Sequence, residues 1–258
     1  RAPESLGEVM NGNVVQNAPF ELRFGVSREL VLCKVDLDPR GRLLWAKRVR
    51  EDYRGHLLLD NLPVDRRWCL IHATHLDARE TSDLAASCAV AGLCPTTEAN
   101  LGDGIFPARD YLAAQGRIGI GSDSNIRISL AEELRMLELS QRLAHRQRAV
   151  LTDDAPRSNG RYLYERAARG GAQAIGRNAG SIETGKLADI VALRDHLPFL
   201  DWPQADQRLD AWIFGVEARA VSDVWSAGRH IVQDGEHRRA VEIRSRFART
   251  IRELGAAL

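Results

Sequence analysis

Two apolar runs in this chain each end on a group that can move a proton. Trp68-Cys69-Leu70-Ile71 leads into His72, and Ile118-Gly119-Ile120-Gly121-Ser122 leads into Asp123. A short apolar run ending in one polar group is how a parallel barrel strand delivers a side chain to its mouth. Two such deliveries, from different strands, put an imidazole and a carboxylate at one rim. That pairing suits metal-assisted hydrolysis: the carboxylate holds a metal and carries a proton, and the histidine polarises the reacting group. Each residue also has a plainer reading. Asp123 could cap the following helix or close a turn, and His72 could be a buried, hydrogen-bonded core histidine.

Fewer signals surround the pair. Ser124 is placed to support Asp123. His75 lies where the strand is already turning and reads as structural. Glu98 and Asn100 fall in what reads as a loop, where a carboxylate usually faces solvent and an asparagine ties the backbone together. Thr96 and Thr97 could do the same, and Gly102 and Gly104 serve turn geometry. His145, His196, His230 and His237 occupy polar or late segments and read as surface or structural residues. The arginines from Arg142 to Arg148 read as a solvated helix end.

Alternating strands and helices must position these groups. Residues 57–59 read as a helix end and residues 68–71 as a strand. Asp77 with Glu80 three residues later forms a capping box for a helix to about residue 87. Residues 90–94 are a strand closed by Pro95, residues 110–115 a short helix and residues 117–121 a further strand. An amphipathic helix follows over about residues 129–143, with Leu130, Leu134, Leu137 and Leu139 on its apolar side. Another covers residues 162–174, where Gly170-Gly171 weakens its centre. Strand and helix at this spacing predict parallel α/β units. After Gly180 the style changes to short strands at residues 190–193, 221–226 and 230–232, separated by Gly-rich turns. A closing helix over residues 244–254 carries Ile243, Phe247, Ile251 and Leu254 on one face. Residues 1–56 yield no confident element.

Composition narrows the classes. The chain has 258 residues, 44% of them hydrophobic, enough for a sizeable core. A net charge of +1 gives no reason to expect nucleic acid or an anionic membrane as partner. No apolar run approaches the roughly 20 residues that span a bilayer. Cys33, Cys69, Cys88 and Cys94 show no Cys-x-x-Cys spacing and read as buried, reduced thiols of a cytoplasmic protein. No signal peptide is expected from the first residues, and a start at Arg1 rather than Met is what a fragment would show.

Three strings go beyond generic pattern. Ile71-His72-Ala73-Thr74-His75-Leu76, the run from Gly92 to Pro107, and Gly119-Ile120-Gly121-Ser122-Asp123-Ser124 closely resemble the amidohydrolase superfamily, and within it the formimidoylglutamate deiminases. The most specific part is Thr97-Glu98-Ala99-Asn100-Leu101-Gly102-Asp103-Gly104-Ile105-Phe106-Pro107, where related deaminases carry a looser Pro-x-Ser-Asn-x-x-Leu form. Residues 180–191 are similar to the point where such chains leave the barrel, and residues 228–235 to the last hairpin. The resemblance implies an α/β fold, the C-terminal part of a (β/α)8 barrel over residues 57–180, then a small composite β domain with a C-terminal helix over residues 181–258.

The same resemblance implies a zinc-dependent hydrolysis of N-formimino-L-glutamate to N-formyl-L-glutamate and ammonia, in histidine degradation. Asp123 would bind Zn²⁺ and shuttle a proton, and His72 would stabilise the tetrahedral intermediate rather than ligate. A small-molecule substrate, no nucleic acid or membrane partner, and a homodimer of the complete protein go with it. Two family signals are missing. The chain has no His-x-His, and only His56 precedes His72, with Leu59 rather than glutamate three residues after it. The expectation is therefore an incomplete form lacking the front half of the barrel, with a shifted reading frame upstream of about residue 55 as one cause. The alternatives are another deaminase of the superfamily or a non-catalytic remnant without the metal site.

Overall fold

A computed structural model of the chain describes residues 20–26, 29–37, 43–48, 56–153, 158–194, 197, 200, 206–216 and 220–256. The first elements are β1 (Phe20–Val26), β2 (Glu29–Leu37) and β3 (Leu43–Arg48), an antiparallel sheet in that order with Phe24 opposite Val31 and Val35 opposite Ala46. No element is legible there in the sequence, and the antiparallel pairing differs from the parallel units that follow.

After α1 (His56–Asn61) comes the sheet that carries the candidate chemistry: β4 (Cys69–Ile71), β5 (Val90–Leu93) and β6 (Arg117–Ile120), parallel and adjacent in chain order. Ile71 lies opposite Gly92, and Leu93 opposite Ile120, so the C-terminal ends of all three strands are level. Every residue of β5 is buried, as a parallel strand covered on both faces must be. The crossover from β4 to β5 is α2 (Ala78–Ala86). Its start has the expected capping box: Glu80 N–H donates to Asp77 Oδ1 at 2.9 Å, and Asp77 N–H donates to Glu80 Oε2 at 2.7 Å.

Between β5 and β6 lie two short helices, α3 (Pro95–Leu101) and α4 (Ala108–Ala113). The first corrects the sequence reading of a loop. Pro95 closes β5 and also opens a helix, because its fixed φ and missing N–H suit the first helical turn. Gly102 ends it in the left-handed region at φ 68°, the use expected of that glycine. Helix α5 (Leu130–His145) starts from Ser129, whose hydroxyl caps the Glu132 N–H. Its inward face is less apolar than its leucines imply. Leu134 and Leu137 are buried, but so are Glu133, Glu138 and Gln141, while Leu130 is exposed. Each buried polar group has partners, as burial demands. Glu138 accepts from Arg142 and from the N–H groups of Val150 and Leu151, and Gln141 donates to the Phe106 carbonyl.

Helix α6 (Asn159–Ala174) lies against β6 at a separation only glycine permits. A Cβ on Gly170 would stand 1.9 Å from the Ile118 carbonyl oxygen, whereas one on Gly171 would meet nothing within 4 Å. Gly170 is thus a docking point rather than a weakness in the helix. The core beneath joins Leu84, Leu93, Tyr111, Ile118, Leu134 and Leu163.

The remaining elements are β7 (Ile190–Leu193), α7 (Gln207–Asp210) running into a π-helical turn at Ala211–Gly215, β8 (Val221–Ser226), β9 (Arg229–Gln233), β10 (Glu236–His237) and α8 (Ala240–Gly255). The strands form an antiparallel sheet of order β10-β9-β8-β7. The apolar face of α8 is present as expected but uncovered among the described residues: Phe247 is 66% and Leu254 58% exposed.

In the order β4-β5-β6, the two outer strands each lack a neighbour on one side within that sheet. Barrels remove such edges only by closing. With the bare face of α8 added, the isolated chain should elute from size exclusion above the monomer mass. A single monomer peak would show that the edges are covered after all.

Candidate active site at the ends of the parallel strands

His72 directly follows β4, Cys94 and Glu98 follow β5, and Asp123 follows β6, so three neighbouring strands deliver them to one end of the sheet. The ladder continues past the strands to hold them: His72 N–H donates to the Gly92 carbonyl at 2.8 Å and Gly121 N–H to the Leu93 carbonyl at 3.0 Å. There the backbone turns sharply. His72 has φ 68°, Ala73 φ 50° and Asp123 φ 48°. Non-glycine residues in the left-handed region cost on the order of 1–3 kcal/mol each and cluster at functional sites. Asp123 does not cap α5, a task that falls to Ser129. It lies in an exposed turn closed by the Asn125 N–H to Ser122 carbonyl bond of 2.9 Å.

The carboxylate nearest His72 is Glu98. It is 4% exposed, which corrects the solvent-facing reading. Its Oε1 lies 3.2 Å from His72 Nδ1 and accepts from the Cys94 N–H at 2.8 Å. This hydrogen bond raises the His72 pKa above its usual value. Burial opposes the rise, and the charges of Glu98, Asp123 and Asp103 add to it. A protonated His72 therefore stabilises the fold at acid pH, a contribution lost as pH rises through the raised pKa.

Threonines tie the loops together. Thr74 Oγ1 donates to the Asp103 carbonyl at 2.7 Å, Thr97 Oγ1 to the Ser122 carbonyl at 3.1 Å, and Thr96 N–H and Oγ1 both to Glu133. Burial pushes the Glu133 pKa up. Asn100 is exposed on α3 and forms no side-chain bond among the described residues, so the backbone-tying role expected of it belongs to the threonines. Ser124 is exposed next to Asp123, and no hydrogen bond joins the two among the described residues. His75 is exposed as well. His230 stacks on Trp225 at 4.5 Å and pairs with Asp223 at 2.8 Å, a structural role in the antiparallel sheet. Of the cysteines, Cys69 and Cys94 are buried free thiols as expected, but Cys88 is exposed. Cys33 and His196 lie outside the residues whose side chains are described.

Glu98 and Cys94 are the site residues that sequence reasoning missed. The signal for Glu98 was Pro95: a helix starting there places the side chain three residues later in its first turn, beside the strand ends.

The donor atoms of His72, Cys94 and Glu98 lie within 4.8 Å of one another. A zinc site needs three or four deprotonated ligands. Here burial pushes the Cys94 thiol up to about 12, and Glu98 already accepts two hydrogen bonds. Asp123 stands outside this group. The described residues therefore offer part of a zinc site. Dialysed chain should hold well under one zinc per molecule by mass spectrometry. Near one equivalent, lost on Asp123→Ala, would overturn this.

Comparison with known proteins bears on this geometry. The model of the amidohydrolase family matches residues 48–231. A model of endomembrane protein 70 matches residues 1–93, overlapping the first over residues 48–93, and no described helix is long and apolar enough to cross a membrane. Formimidoylglutamate deiminase of Pseudomonas aeruginosa is 52% identical over 180 residues, which is 70% of this chain and 40% of the relative. The chain thus spans 40% of that relative's length. The crystal structure of an amidohydrolase from Brucella melitensis superposes with a TM-score of 0.72 at 46% identity, over 77% of this chain and 44% of that one. That of atrazine chlorohydrolase from Arthrobacter aurescens, complexed with zinc, does so with 0.59 at 25% identity, over 71% and 40%. With the parallel sheet, the antiparallel sheet after it and a family match over most of its length, the chain belongs to the amidohydrolase family.

Proposed function

We propose that the complete protein is a formimidoylglutamate deiminase, hydrolysing N-formimino-L-glutamate to N-formyl-L-glutamate and ammonia. The observation that carries this is the 52% identity to the Pseudomonas aeruginosa enzyme over 180 residues, against 25% to the Arthrobacter aurescens chlorohydrolase. The stretch from Thr97 to Pro107 falls inside it. Zinc, when bound, supplies a water acidic enough to serve as nucleophile near neutral pH. Asp123 is the ligand we assign to it and the group that passes a proton to the departing ammonia. His72 donates a hydrogen bond to the charge that develops as the formimino carbon becomes tetrahedral. A cytoplasmic location, a small-molecule substrate and a homodimer of the complete protein belong to the same reading. So does a division into residues 57–180, a partial barrel, and 181–258, a small β domain with its helix.

A second reading, a non-catalytic remnant, is favoured for this chain by the partial donor set of His72, Cys94 and Glu98. One experiment separates the two. The chain is joined to the part of the Pseudomonas relative that it does not span, and ammonia release is followed with N-formimino-L-glutamate and adenosine-type compounds, and chloride release with a chlorotriazine. Turnover of the first alone is expected. Turnover of another compound in its place would sink the deiminase assignment, and silence with all three would favour the remnant.

A further inference from the structure

The geometry points to Glu98 as the positioning residue of His72: its carboxylate holds the ring through Nδ1–H and leaves Nε2, which carries the donated proton in the imidazolium form, for the reacting group. An ionised carboxylate can only accept, and Oε1 already takes the Cys94 N–H at 2.8 Å. The 3.2 Å contact to His72 therefore requires the proton on Nδ1. Nε2 has no hydrogen-bond partner among the described residues. The carboxylate itself has little freedom. It is 4% exposed and sits in the first turn of α3, anchored to the backbone at the end of β5. His72 is held from its own side by its N–H bond to Gly92 and by a strained φ of 68°. Partners that fix the tautomer of a metal-bound histidine are typically worth about 10- to 100-fold in activity, and an effect of that order is expected here.

The kinetic consequence rests on the proposed deimination, but the tautomer does not. It is measured on this chain, without substrate, from the imidazole ¹⁵N shifts of ¹⁵N-histidine-labelled protein. Above the His72 midpoint, the neutral ring is expected to carry its proton on Nδ1. Glu98→Gln keeps an acceptor for the Cys94 N–H, and it should lower that midpoint and erode the Nδ1–H preference. Asp123 and Asp103, the other charges acting on the ring, remain in place. Glu133→Gln removes a different buried carboxylate, bonded to Thr96 rather than to His72, and should leave the His72 signals unmoved. In the joined protein, Glu98→Gln should lower kcat about 10- to 100-fold with KM little changed. A neutral ring protonated on Nε2 in the unsubstituted chain overturns the inference, even if Glu98→Gln fails to fold. So does an equal response to Glu98→Gln and Glu133→Gln. If the tautomer result holds and N-formimino-L-glutamate is not turned over, the deiminase assignment fails and the positioning role stands.

Discussion

Gly170→Ala is expected to abolish the cooperative packing of the parallel sheet, while Gly171→Ala, one residue on, should be neutral or stabilising. In the middle of a helix, glycine-to-alanine ordinarily gains roughly 0.5–1 kcal/mol through backbone entropy. At Gly171 the new methyl meets nothing within 4 Å, so only that gain remains. At Gly170 the methyl would lie 1.9 Å from the Ile118 carbonyl oxygen and 2.6 Å from its carbonyl carbon. The obstacle is backbone in the middle of β6, not the end of a flexible side chain. Either α6 moves away from the sheet or β6 leaves its register with β5. Overpacking costs typically about 1–3 kcal/mol where side chains can yield, and more where they cannot. A loss of about 3 kcal/mol or more is a large part of the few kcal/mol by which a domain is stable. Urea titration followed by circular dichroism checks the pair. Equal midpoints for the two variants would mean that α6 does not dock on β6 as described.

Gly170 also marks where sequence pattern stops being informative. Read along one helix, Gly170-Gly171 is a local weakness. The reason for it lies on another element, and no period of 3.6 or 2 records that. The strands around His72 and Asp123 were legible because β4, β5 and β6 are short, apolar and bounded by turn residues. Helix α2 was legible because Asp77 and Glu80 satisfy each other within one turn. What failed was polarity taken as exposure. Glu98 was read as solvent-facing, yet it is buried against His72 and the Cys94 N–H, and Glu133, Glu138 and Gln141 on α5 are buried with partners of their own. Pro95 was read as the end of a strand when it was also the start of a helix. The two strand-end residues chosen for their chemistry, His72 and Asp123, did share an end of the sheet. The partner that touches His72 was the carboxylate set aside.

The largest kinetic effects are expected at those same two residues, in the chain joined to its relative's missing part. Asp123→Asn should abolish measurable turnover of N-formimino-L-glutamate. It keeps the size of the side chain but removes both the negative charge proposed to hold the metal and the base proposed to carry the proton. His72→Asn should reduce kcat about 10²- to 10³-fold, the usual effect of losing one donor aimed at charge that develops only in the transition state. Such a donor contributes little to binding the uncharged group in the ground state, so KM should change far less than kcat, and kcat/KM should fall in step with kcat. The ordering matters as much as the magnitudes. Asp123 has two proposed tasks and His72 one, so the aspartate variant must be the weaker enzyme. Metal content separates the tasks: Asp123→Asn should lose zinc and His72→Asn should retain it. If His72→Asn kept its kcat and raised only KM, the strained turn after β4 would serve substrate binding, and the electrophilic role assigned to His72 would be wrong.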